Sequence, residues 1–297
     1  MKPTKCAFVT GGSRGIGSGV VKVLAREGYD IAFTYHSAEE EAKEMSEYVK
    51  GLGRRCFYYQ ASLEERDVPT RVTRQAIQDL GRLDVLVNNA GVTRHNLVTE
   101  MDADFIDFVY GVDFRNYILC TGEAARHMIE NHIKGSIFFI TSTRSMRAYP
   151  TDCIYGGLKA GLNRAAESIS LELSRYGIRV NCIAPGATAV RNLDKPDALT
   201  PFSFADKIPL KRFGHPEEIG NAIAYLASDK AAYITGVTLK IDGGLILPGM
   251  PEDSGEVSGY GWDYVDQWFE RAKKYREVQE KKQQEEAAEK EKEKQQS

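Results

Sequence analysis

Short apolar runs alternate with longer segments of helical periodicity along most of the chain. Residues 5–10 have the composition of a short buried strand, whereas residues 158–169 carry apolar side chains at the spacing of an amphipathic helix. Apolar strands flanked by helices are what a parallel sheet covered on both faces requires. The pattern therefore predicts an α/β fold with a doubly wound parallel sheet. The predicted strands span residues 5–10, 30–34, 55–61, 83–87, 136–141, 179–183 and 238–241, and the predicted helices span about 17–28, 38–52, 68–80, 102–131 and 216–227, with one more beginning near Tyr155.

A glycine-rich turn follows the first predicted strand. Residues 10–17 are Thr-Gly-Gly-Ser-Arg-Gly-Ile-Gly, and a helix and a second strand come after them. Glycines at positions 11, 15 and 17 let the backbone turn tightly and approach a pyrophosphate at the helix N-terminus, where free N–H groups and the helix dipole favour negative charge. Strand, turn, helix and strand in this order predict a dinucleotide site.

The end of the second predicted strand bears on which dinucleotide is bound. A site for NAD places an acidic residue there to bind the ribose 2′-hydroxyl, but this chain has Tyr35-His36-Ser37. Arg14 in the glycine turn can meet a 2′-phosphate, so we expect NADP rather than NAD. Glu39 and Glu40 are the counterargument, although they fit better as first-turn residues of the next helix, where acidic side chains are favoured.

Tyr155 and Lys159 stand four residues apart where an apolar-periodic helix begins. This spacing places both side chains on one face of the helix. A neighbouring cation favours the phenolate and lowers the pKa of a tyrosine from its usual value of about 10, so that the phenol can exchange protons near neutral pH. The pair alone is also compatible with a solvated surface contact.

Composition excludes several classes of protein. The 297 residues carry a net charge of −3, with 42% hydrophobic and 27% charged residues, which gives no basic footprint for nucleic acid. No apolar run approaches the roughly 20 residues of a membrane span, and the first ten residues enter a strand directly rather than a signal peptide. We therefore expect a cytoplasmic protein without nucleic-acid or membrane partners.

The five cysteines are scattered and include no Cys-x-x-Cys pair, which argues against a disulfide framework and against a zinc site. The five histidines are equally dispersed, so we predict no metal. Most of the cysteines fit as small core residues. Cys153, two residues before Tyr155, is the candidate for a thiol that lines the site.

Five ordered motifs resemble those of the short-chain dehydrogenase/reductase family. They are residues 10–17, Asn88-Asn89-Ala90-Gly91, Ser142, Tyr155-Gly-Gly-Leu-Lys159 and Pro185-Gly186, within about residues 4–247. The resemblance implies a Rossmann fold and hydride transfer between a nicotinamide and a ketone or secondary alcohol. It also implies a homo-oligomer, in this family usually a tetramer.

The resemblance also implies roles for individual residues. Tyr155 would be the general acid for reduction and the general base for oxidation, and Ser142 would hydrogen-bond the carbonyl oxygen. Lys159 would hold the nicotinamide ribose and lower the tyrosine pKa. Asn89 would pack by the adenosine ribose, and Thr188 would meet the carboxamide. The full set of cofactor-binding residues would be Gly11, Ser13, Arg14, Gly15, Ile16, Gly17, His36, Ser62, Leu63, Asn89, Tyr155, Lys159 and Thr188.

Two positions depart from the family pattern. The asparagine that completes the family's catalytic set aligns with Asp113, and Asn116 three residues later is expected not to replace it. That asparagine is thought to act through its backbone carbonyl, which any residue supplies, but a carboxylate near Lys159 can shift the pH optimum. Ser62 stands where many members have an aspartate for the adenine, so that contact is expected to be weaker.

The substrate is left open by the sequence. Residues 92–97 and 228–236 resemble bacterial 3-oxoacyl-carrier-protein reductases, yet the two basic docking positions for the carrier fall on Ile133 and Leu171. The segment after Ser142 carries Arg144, Arg147 and Tyr149, which could face the pocket and bind a polar or anionic substrate. The alternative is that both arginines are solvated or paired with neighbouring acids. Sugar and hydroxysteroid dehydrogenases are alternatives, and a non-catalytic NADP-binding sensor is a remote one.

The predicted domain organisation has three parts. Residues 1–250 form the catalytic domain, and residues 251–279 carry an apolar stripe at near-helical spacing, which predicts a helical docking extension. Residues 280–297 alternate Glu, Lys and Gln and predict a solvated, fraying helix rather than a coiled coil. Residues 191–212 are polar and lack periodicity, so they are predicted to form a lid over the substrate.

Overall fold

One parallel sheet organises the part of the chain that the structure describes. The computed structural model describes residues 4–190 and 204–247, together with the single positions 270, 273 and 277. The strands of these residues are β1 (Cys6–Val9), β2 (Asp30–Tyr35), β3 (Cys56–Gln60), β4 (Val85–Asn88), β5 (Ser136–Ile140), β6 (Arg179–Pro185) and β7 (Thr238–Ile241). Their order is β3-β2-β1-β4-β5-β6-β7, and every pair is parallel. The order reverses between β1 and β4, the switch point at which doubly wound sheets bind ligands. The predicted α/β fold is thus confirmed.

Helices connect the strands and cover both faces of the sheet. The helices of the described residues are α1 (Gly15–Arg26), α2 (Glu39–Gly51), α3 (Val68–Leu80), α4 (Ala103–Tyr110), α5 (Asn116–Glu130), α6 (Cys153–Ser174) and α7 (Pro216–Ala227). Their starts follow local sequence. Pro69 lies in the first turn of α3, where its missing N–H costs nothing, and His215 and Glu218 form a reciprocal capping box at the start of α7.

The helix predicted over residues 102–131 is interrupted. It consists of α4, a single π-helical turn at Gly111–Arg115, and α5. The Asp102 carboxylate caps α4 by accepting a hydrogen bond from the Phe105 N–H at 2.8 Å. A π turn holds one residue more than an α turn, and such turns often lie at functional sites. Asp113 lies inside this turn and is fully buried.

Two apolar layers hold the helices to the sheet. Helices α3, α5 and α6 cover one face, and α1, α2 and α7 cover the other. Neighbouring residues of a strand contribute to opposite layers, as Phe139 and Phe138 of β5 do, and both side chains are fully buried. This double burial explains why the central strands β1, β2, β4 and β5 lack a regular apolar/polar alternation.

Parts of the predicted organisation lie outside the described residues. These are residues 191–203 of the predicted lid and nearly all of the predicted extension and charged tail, of which only Glu270, Lys273 and Glu277 are described, as helical and exposed. The described end of the lid segment contains a short 3-10 helix at Phe204–Lys207. No helix formed by the described residues has the length and apolar content needed to cross a membrane.

Helices α1 and α7 approach each other through glycine. A Cβ at Gly19 would lie 2.3 Å from the backbone carbon of Pro216, and a Cβ at Gly220 would lie 2.8 Å from the carbonyl oxygen of Gly19. Backbone atoms on the facing helix cannot move aside as a flexible side chain can. The close packing of these two helices therefore depends on glycine at both positions.

Four of the five cysteines lie in or against the core. Cys6, Cys120 and Cys182 are buried and Cys56 is partly buried. Burial raises the pKa of the Cys120 and Cys182 thiols to about 12 and that of Cys6 and Cys56 to about 11, which keeps all four protonated. Cys153 is exposed at the start of α6, with its Sγ 3.7 Å from the Sδ of Met101.

We predict that Gly19→Ala destabilises the protein by about 1–3 kcal/mol, because the new methyl group meets backbone atoms of α7. The matched control is Gly122→Ala in α5, where a Cβ meets nothing within 4 Å. This variant should gain about 0.5–1 kcal/mol from helix propensity. Thermal unfolding of both variants tests the pair, and equal shifts in melting temperature would contradict the close packing of α1 and α7.

We predict that the native protein reacts with one equivalent of a thiol reagent such as a maleimide, at Cys153. Thiol reactivity follows exposure and thiolate content, and the other four cysteines are covered and protonated. Cys153→Ser should abolish labelling of the native protein, while denatured wild-type protein should react at all five cysteines. Rapid labelling of the folded Cys153→Ser variant would show that another thiol is accessible. Mass spectrometry of labelled peptides provides the measurement.

Candidate active site

The glycine turn after β1 has the geometry of an anion-binding loop. Gly11 and Gly15 have φ values of 69° and 58°, in the left-handed region that favours glycine. A Cβ at Gly17 would lie 2.0 Å from the carbonyl oxygen of Gly11, so the turn closes only without a side chain there. The first N–H groups of a helix lack partners within it, and Arg14 makes no side-chain cap for α1. The turn therefore fits the pyrophosphate of a dinucleotide.

Hydrogen bonds fix this turn to the neighbouring strands. The Thr10 hydroxyl accepts from the backbone N–H groups of Asn89 at 2.9 Å and Ala90 at 3.0 Å. The Asn89 amide donates to the carbonyl oxygens of Thr10 at 2.9 Å and Gly11 at 3.0 Å. The Gly11 N–H donates to the Thr34 hydroxyl at 2.9 Å. Asn89 thus shapes the cofactor turn from β4, across the switch point.

The residues predicted to bind the adenosine end follow β2 and β3. His36 and Arg14 are exposed, whereas Ser13 is buried and Ile16 half-buried. Ser62 and Leu63 come directly after β3, and Leu63 is buried. The exposed Arg14 guanidinium in the glycine turn and the exposed His36 side chain after β2 leave room for an anionic group.

The two glutamates after β2 lie where the sequence predicted them. Glu39 and Glu40 belong to the first turn of α2. Their carboxylates pair with Lys43 at 3.7 Å and 2.9 Å, and their side chains are mostly exposed. Neither therefore occupies the position at the end of β2 that an acid takes in an NAD site.

Ser142, Tyr155 and Lys159 lie at the carboxyl end of β5 and in the first turns of α6. Ser142 is buried, and its hydroxyl accepts a hydrogen bond from the Arg144 N–H at 3.1 Å. The Nζ atom of Lys159 lies 5.5 Å from the centre of the Tyr155 ring, as the four-residue spacing predicted. The turn after Ser142 is fixed to α6 because the Asn163 amide donates to the Ser145 hydroxyl at 2.8 Å.

The Lys159 ammonium is buried and has three partners. Its Nζ atom lies 2.9 Å from Oδ1 of Asp113 and donates to the Ile140 carbonyl and the Tyr117 hydroxyl, each at 3.2 Å. Burial alone disfavours the charged form, but the Asp113 carboxylate outweighs it and raises the pKa of Lys159 above its ordinary value. The lysine is therefore held in its charged form beside Tyr155.

The carboxylate of Asp113 is fully buried against this lysine. Its Oδ2 atom accepts from the Val92 N–H at 3.1 Å, and a Cβ at Gly91 would lie 2.6 Å from Oδ1. The family resemblance implied a role for the backbone carbonyl at this position and a carboxylate near Lys159, and the structure brings that side chain into contact with the ammonium. The Asn116 amide donates to the Val112 carbonyl instead, so Asn116 does not take the place of the family's asparagine.

Tyr117 is the member of this cluster that sequence reasoning missed. It is fully buried, and its hydroxyl accepts from Lys159 and donates to the Ile140 carbonyl at 3.1 Å. Burial raises the pKa of Tyr117 above its ordinary value, so the hydroxyl stays a donor. The available signal was its spacing of four residues from Asp113, the same spacing that relates Tyr155 to Lys159.

A second cluster, around the buried Asp152 carboxylate, lies between the loop after β4 and the start of α6. Oδ2 of Asp152 lies 3.1 Å from the Arg144 guanidinium, and Oδ1 lies 3.8 Å from Nδ1 of His95. The Arg144 guanidinium also stacks 4.5 Å from the centre of the Tyr149 ring. Burial, with the Arg144 charge acting in the same direction, lowers the pKa of His95 to about 4. Arg144 is therefore paired with an acid, one of the two outcomes that the sequence left open.

The remaining predicted positions lie further along the chain or away from this cluster. Thr188 follows β6, and its hydroxyl donates to the Gly186 carbonyl at 3.3 Å. Ile133 is buried and Leu171 is 78% exposed, so these two carrier-docking positions offer no cation.

The described residues bring together a phenol, a buried ammonium and a serine hydroxyl on one sheet edge with an anion-binding turn. Such an arrangement can move a proton to or from an oxygen atom next to a bound dinucleotide.

Comparisons with known proteins agree with this geometry. The family model described as enoyl-(acyl carrier protein) reductase matches residues 11–246. The chain is 37% identical over 250 residues to the 3-oxoacyl-acyl-carrier-protein reductase FabG of Staphylococcus aureus, with 83% of this chain and 100% of the relative covered. It is 34% identical over 245 residues to glucose 1-dehydrogenase 2 of Bacillus subtilis, with 82% and 95% covered.

A solved structure is similar over a comparable length. The crystal structure of acetoin dehydrogenase from Enterobacter cloacae superimposes with a TM-score of 0.79 at 34% identity, covering 86% of this chain and 100% of that one. The family model spans most of the chain, and the relatives are covered almost from end to end. The chain is therefore an NAD(P)-dependent oxidoreductase of the short-chain dehydrogenase/reductase family.

Proposed function

We propose that the protein transfers a hydride between NADP(H) and a ketone or secondary alcohol, with Tyr155 as the acid and base. The observation that supports this most directly is the Tyr155 ring 5.5 Å from the buried Lys159 ammonium, on the sheet edge that carries the glycine turn. When bound, the nicotinamide supplies the hydride for reduction and accepts it in oxidation. The residues of the chain have to transfer the proton and position the oxygen atom of the carbonyl or alcohol group.

Each of the three residues has a separate task. The Tyr155 hydroxyl donates its proton to the carbonyl oxygen during reduction and its phenolate accepts one from the alcohol during oxidation. The Ser142 hydroxyl hydrogen-bonds the same oxygen and fixes its position. Lys159 provides a permanent positive charge beside the phenol. A ribose hydroxyl that binds Lys159 would replace the Ile140 carbonyl or the Tyr117 hydroxyl, since the charged contact to Asp113 is the strongest of the three.

The proposed cofactor site extends from the glycine turn to the end of β6. Backbone N–H groups at the start of α1 would hold the pyrophosphate. Arg14 and His36 would bind the 2′-phosphate, which is why we propose NADP rather than NAD. The remaining residues proposed to contact the cofactor are Gly11, Ser13, Gly15, Ile16, Gly17, Ser62, Leu63, Asn89 and Thr188.

Two classes of carbonyl substrate are candidates. One relative is named as a 3-oxoacyl-acyl-carrier-protein reductase, which favours a 3-oxoacyl thioester. Others are named as glucose and acetoin dehydrogenases, which favour a small hydroxylated substrate. Ile133 and Leu171 lack the charge that would bind an acidic carrier, so we favour a small free substrate. A screen at 340 nm of 3-oxoacyl thioesters, sugars, hydroxyketones and ketosteroids tests the choice.

The organisation around this site follows from the family resemblance. We propose a cytoplasmic homotetramer whose catalytic domain comprises residues 1–250. Residues 251–279 would form a docking extension, and residues 280–297 a solvated tail. Light scattering on the full chain measures the assembly, and a monomer would contradict it.

Tyr155→Phe is predicted to lower turnover by about 10²–10⁴-fold, because it removes the proton donor and leaves the ring in place. NADPH binding, followed by fluorescence, should stay within about twofold, since no phosphate contact is lost. The matched control is Tyr225→Phe in α7, a half-exposed tyrosine on another helix, which should leave both quantities unchanged. Turnover at the wild-type level in Tyr155→Phe would exclude the proposed role.

The protein is predicted to have a higher kcat/KM with NADPH than with NADH. Arg14→Ala should lower kcat/KM for NADPH by about 10–100-fold, the value of a lost charge-assisted hydrogen bond, and leave NADH almost unaffected. Arg175→Ala, which removes an exposed arginine next to the C-terminus of α6, serves as control. A preference for NADH in the wild type would reverse the cofactor assignment.

A further inference from the structure

The ion pair between Asp113 and Lys159 is closed off from solvent. The two side chains are 0% and 3% exposed, and Oδ1 and Nζ are 2.9 Å apart. Charges at this separation interact far more strongly inside a protein than in water. Truncating one member of such a pair would leave the other uncompensated. The pair is thus a fixed electrostatic feature, 5.5 Å from the Tyr155 ring measured at Nζ.

The other groups that face Lys159 are two tyrosine side chains, a carbonyl oxygen and a thiol. Tyr117 approaches from α5, the Ile140 carbonyl from β5 and Tyr155 from α6 itself. The Cys182 thiol on β6 lies within the electrostatic reach of the lysine, and burial keeps it protonated. Among the described residues, Asp113 is the only carboxylate paired with Lys159.

The pair acts on Tyr155 differently from a lysine alone. A lone buried ammonium attracts the phenolate and draws the proton off the hydroxyl. With Asp113 in contact, the negative charge offsets much of that field, and Tyr155 meets a dipole rather than a full charge. A protonated phenol is the form that reduction needs.

We infer that Asp113 is a positioning residue that acts through Lys159 to keep Tyr155 protonated and so favours carbonyl reduction over alcohol oxidation. The inference rests on the proposed function, because it assumes that Tyr155 is the acid and base. It assigns to the side chain of Asp113 an electrostatic role for which a neutral amide would not suffice.

A purely structural role for Asp113 is the competing explanation. The carboxylate accepts the Val92 N–H and lies inside the π turn at Gly111–Arg115, so it also stabilises the loop after β4. An asparagine has almost the same shape and keeps an acceptor for Val92, but it carries no charge. Asp113→Asn therefore separates the electrostatic role from the structural one.

The test is a titration of Tyr155 in the protein without added cofactor or substrate. Tyrosine labelled with ¹³C at Cζ reports loss of the phenolic proton by NMR, and Tyr155→Phe identifies the signal. In Asp113→Asn the titration midpoint should move to lower pH by about one unit, the order expected for removing one charge several ångströms away. In steady-state assays, the pH at which carbonyl reduction declines should fall by the same amount, and the ratio of kcat for oxidation to kcat for reduction at pH 7 should rise.

Asp84→Asn is the matched control. Asp84 is likewise a buried carboxylate in an ion pair, here with Arg82 at 2.8 Å. It accepts from the N–H of Cys6, the first residue of β1, at the opposite edge of the sheet. Its substitution should leave the Tyr155 midpoint unchanged. Asp113→Ser is a second neutral variant, with folding followed by circular dichroism.

The outcomes distinguish this inference from the proposed function. A lowered midpoint in a folded neutral variant at position 113, with no change in Asp84→Asn, supports the electrostatic role. An unchanged midpoint in a folded variant, or the loss of folding in both neutral variants, overturns it in favour of a structural role. Failure of every substrate in the wild type, or full activity of Tyr155→Phe, would instead overturn the proposed function, whatever the NMR titration shows.

Discussion

In a parallel sheet that helices cover on both faces, reactive side chains of the strands can reach solvent and substrate only at the strand ends. The side chains of Phe138 and Phe139 point to opposite layers, so β5 has no free face on which to display a polar group. Polar residues therefore collect after the carboxyl ends of the strands, as Ser142 and Asn89 do. The position of the site follows from the burial of the sheet.

At that edge, hydrogen bonds and buried charges fix the positions of the glycine turn and of the Lys159 side chain, which packing alone would not determine. Thr10 and Asn89 join the ends of β1 and β4 through bonds of 2.9–3.0 Å, which fixes the glycine turn before any ligand arrives. Lys159 is likewise immobilised by three partners rather than extended into solvent. A site fixed in this way needs little reorganisation when a substrate binds.

The sequence predicted the fold well because its signals are local. The helices at Val68–Leu80 and Pro216–Ala227 and the strand at Thr238–Ile241 have the predicted bounds, since apolar periodicity, proline and glycine mark their ends. The spacing of Tyr155 and Lys159 likewise placed both on one helical face. What the sequence could not show were contacts between elements distant along the chain.

Three parts of the site illustrate this limit. The family resemblance placed a carboxylate at position 113 near Lys159, but no local pattern reveals that it is buried in contact with an ammonium forty-six positions away. Tyr117 also fits an ordinary apolar stripe, so its spacing of four residues from Asp113 does not by itself predict a hydroxyl contact with Lys159. The interruption of the long helix was missed because the π turn holds only one residue more than an α turn, and the apolar spacing on each side of it is helical. In each case tertiary packing decides the outcome.

The π turn at Gly111–Arg115 separates two surfaces that a regular helix would couple. Each residue of an α-helix rotates the next side chain by about 100°, so one additional residue reorients everything before it relative to everything after it. Phe108 of α4 can thereby lie under the Arg94 guanidinium of the loop after β4, while Tyr117 of α5 packs edge-on against Phe139 of the sheet. A regular α-helix over the same residues would rotate one of these contacts out of place by about 100°, so the π turn is what allows a stretch with one extra residue to keep both contacts.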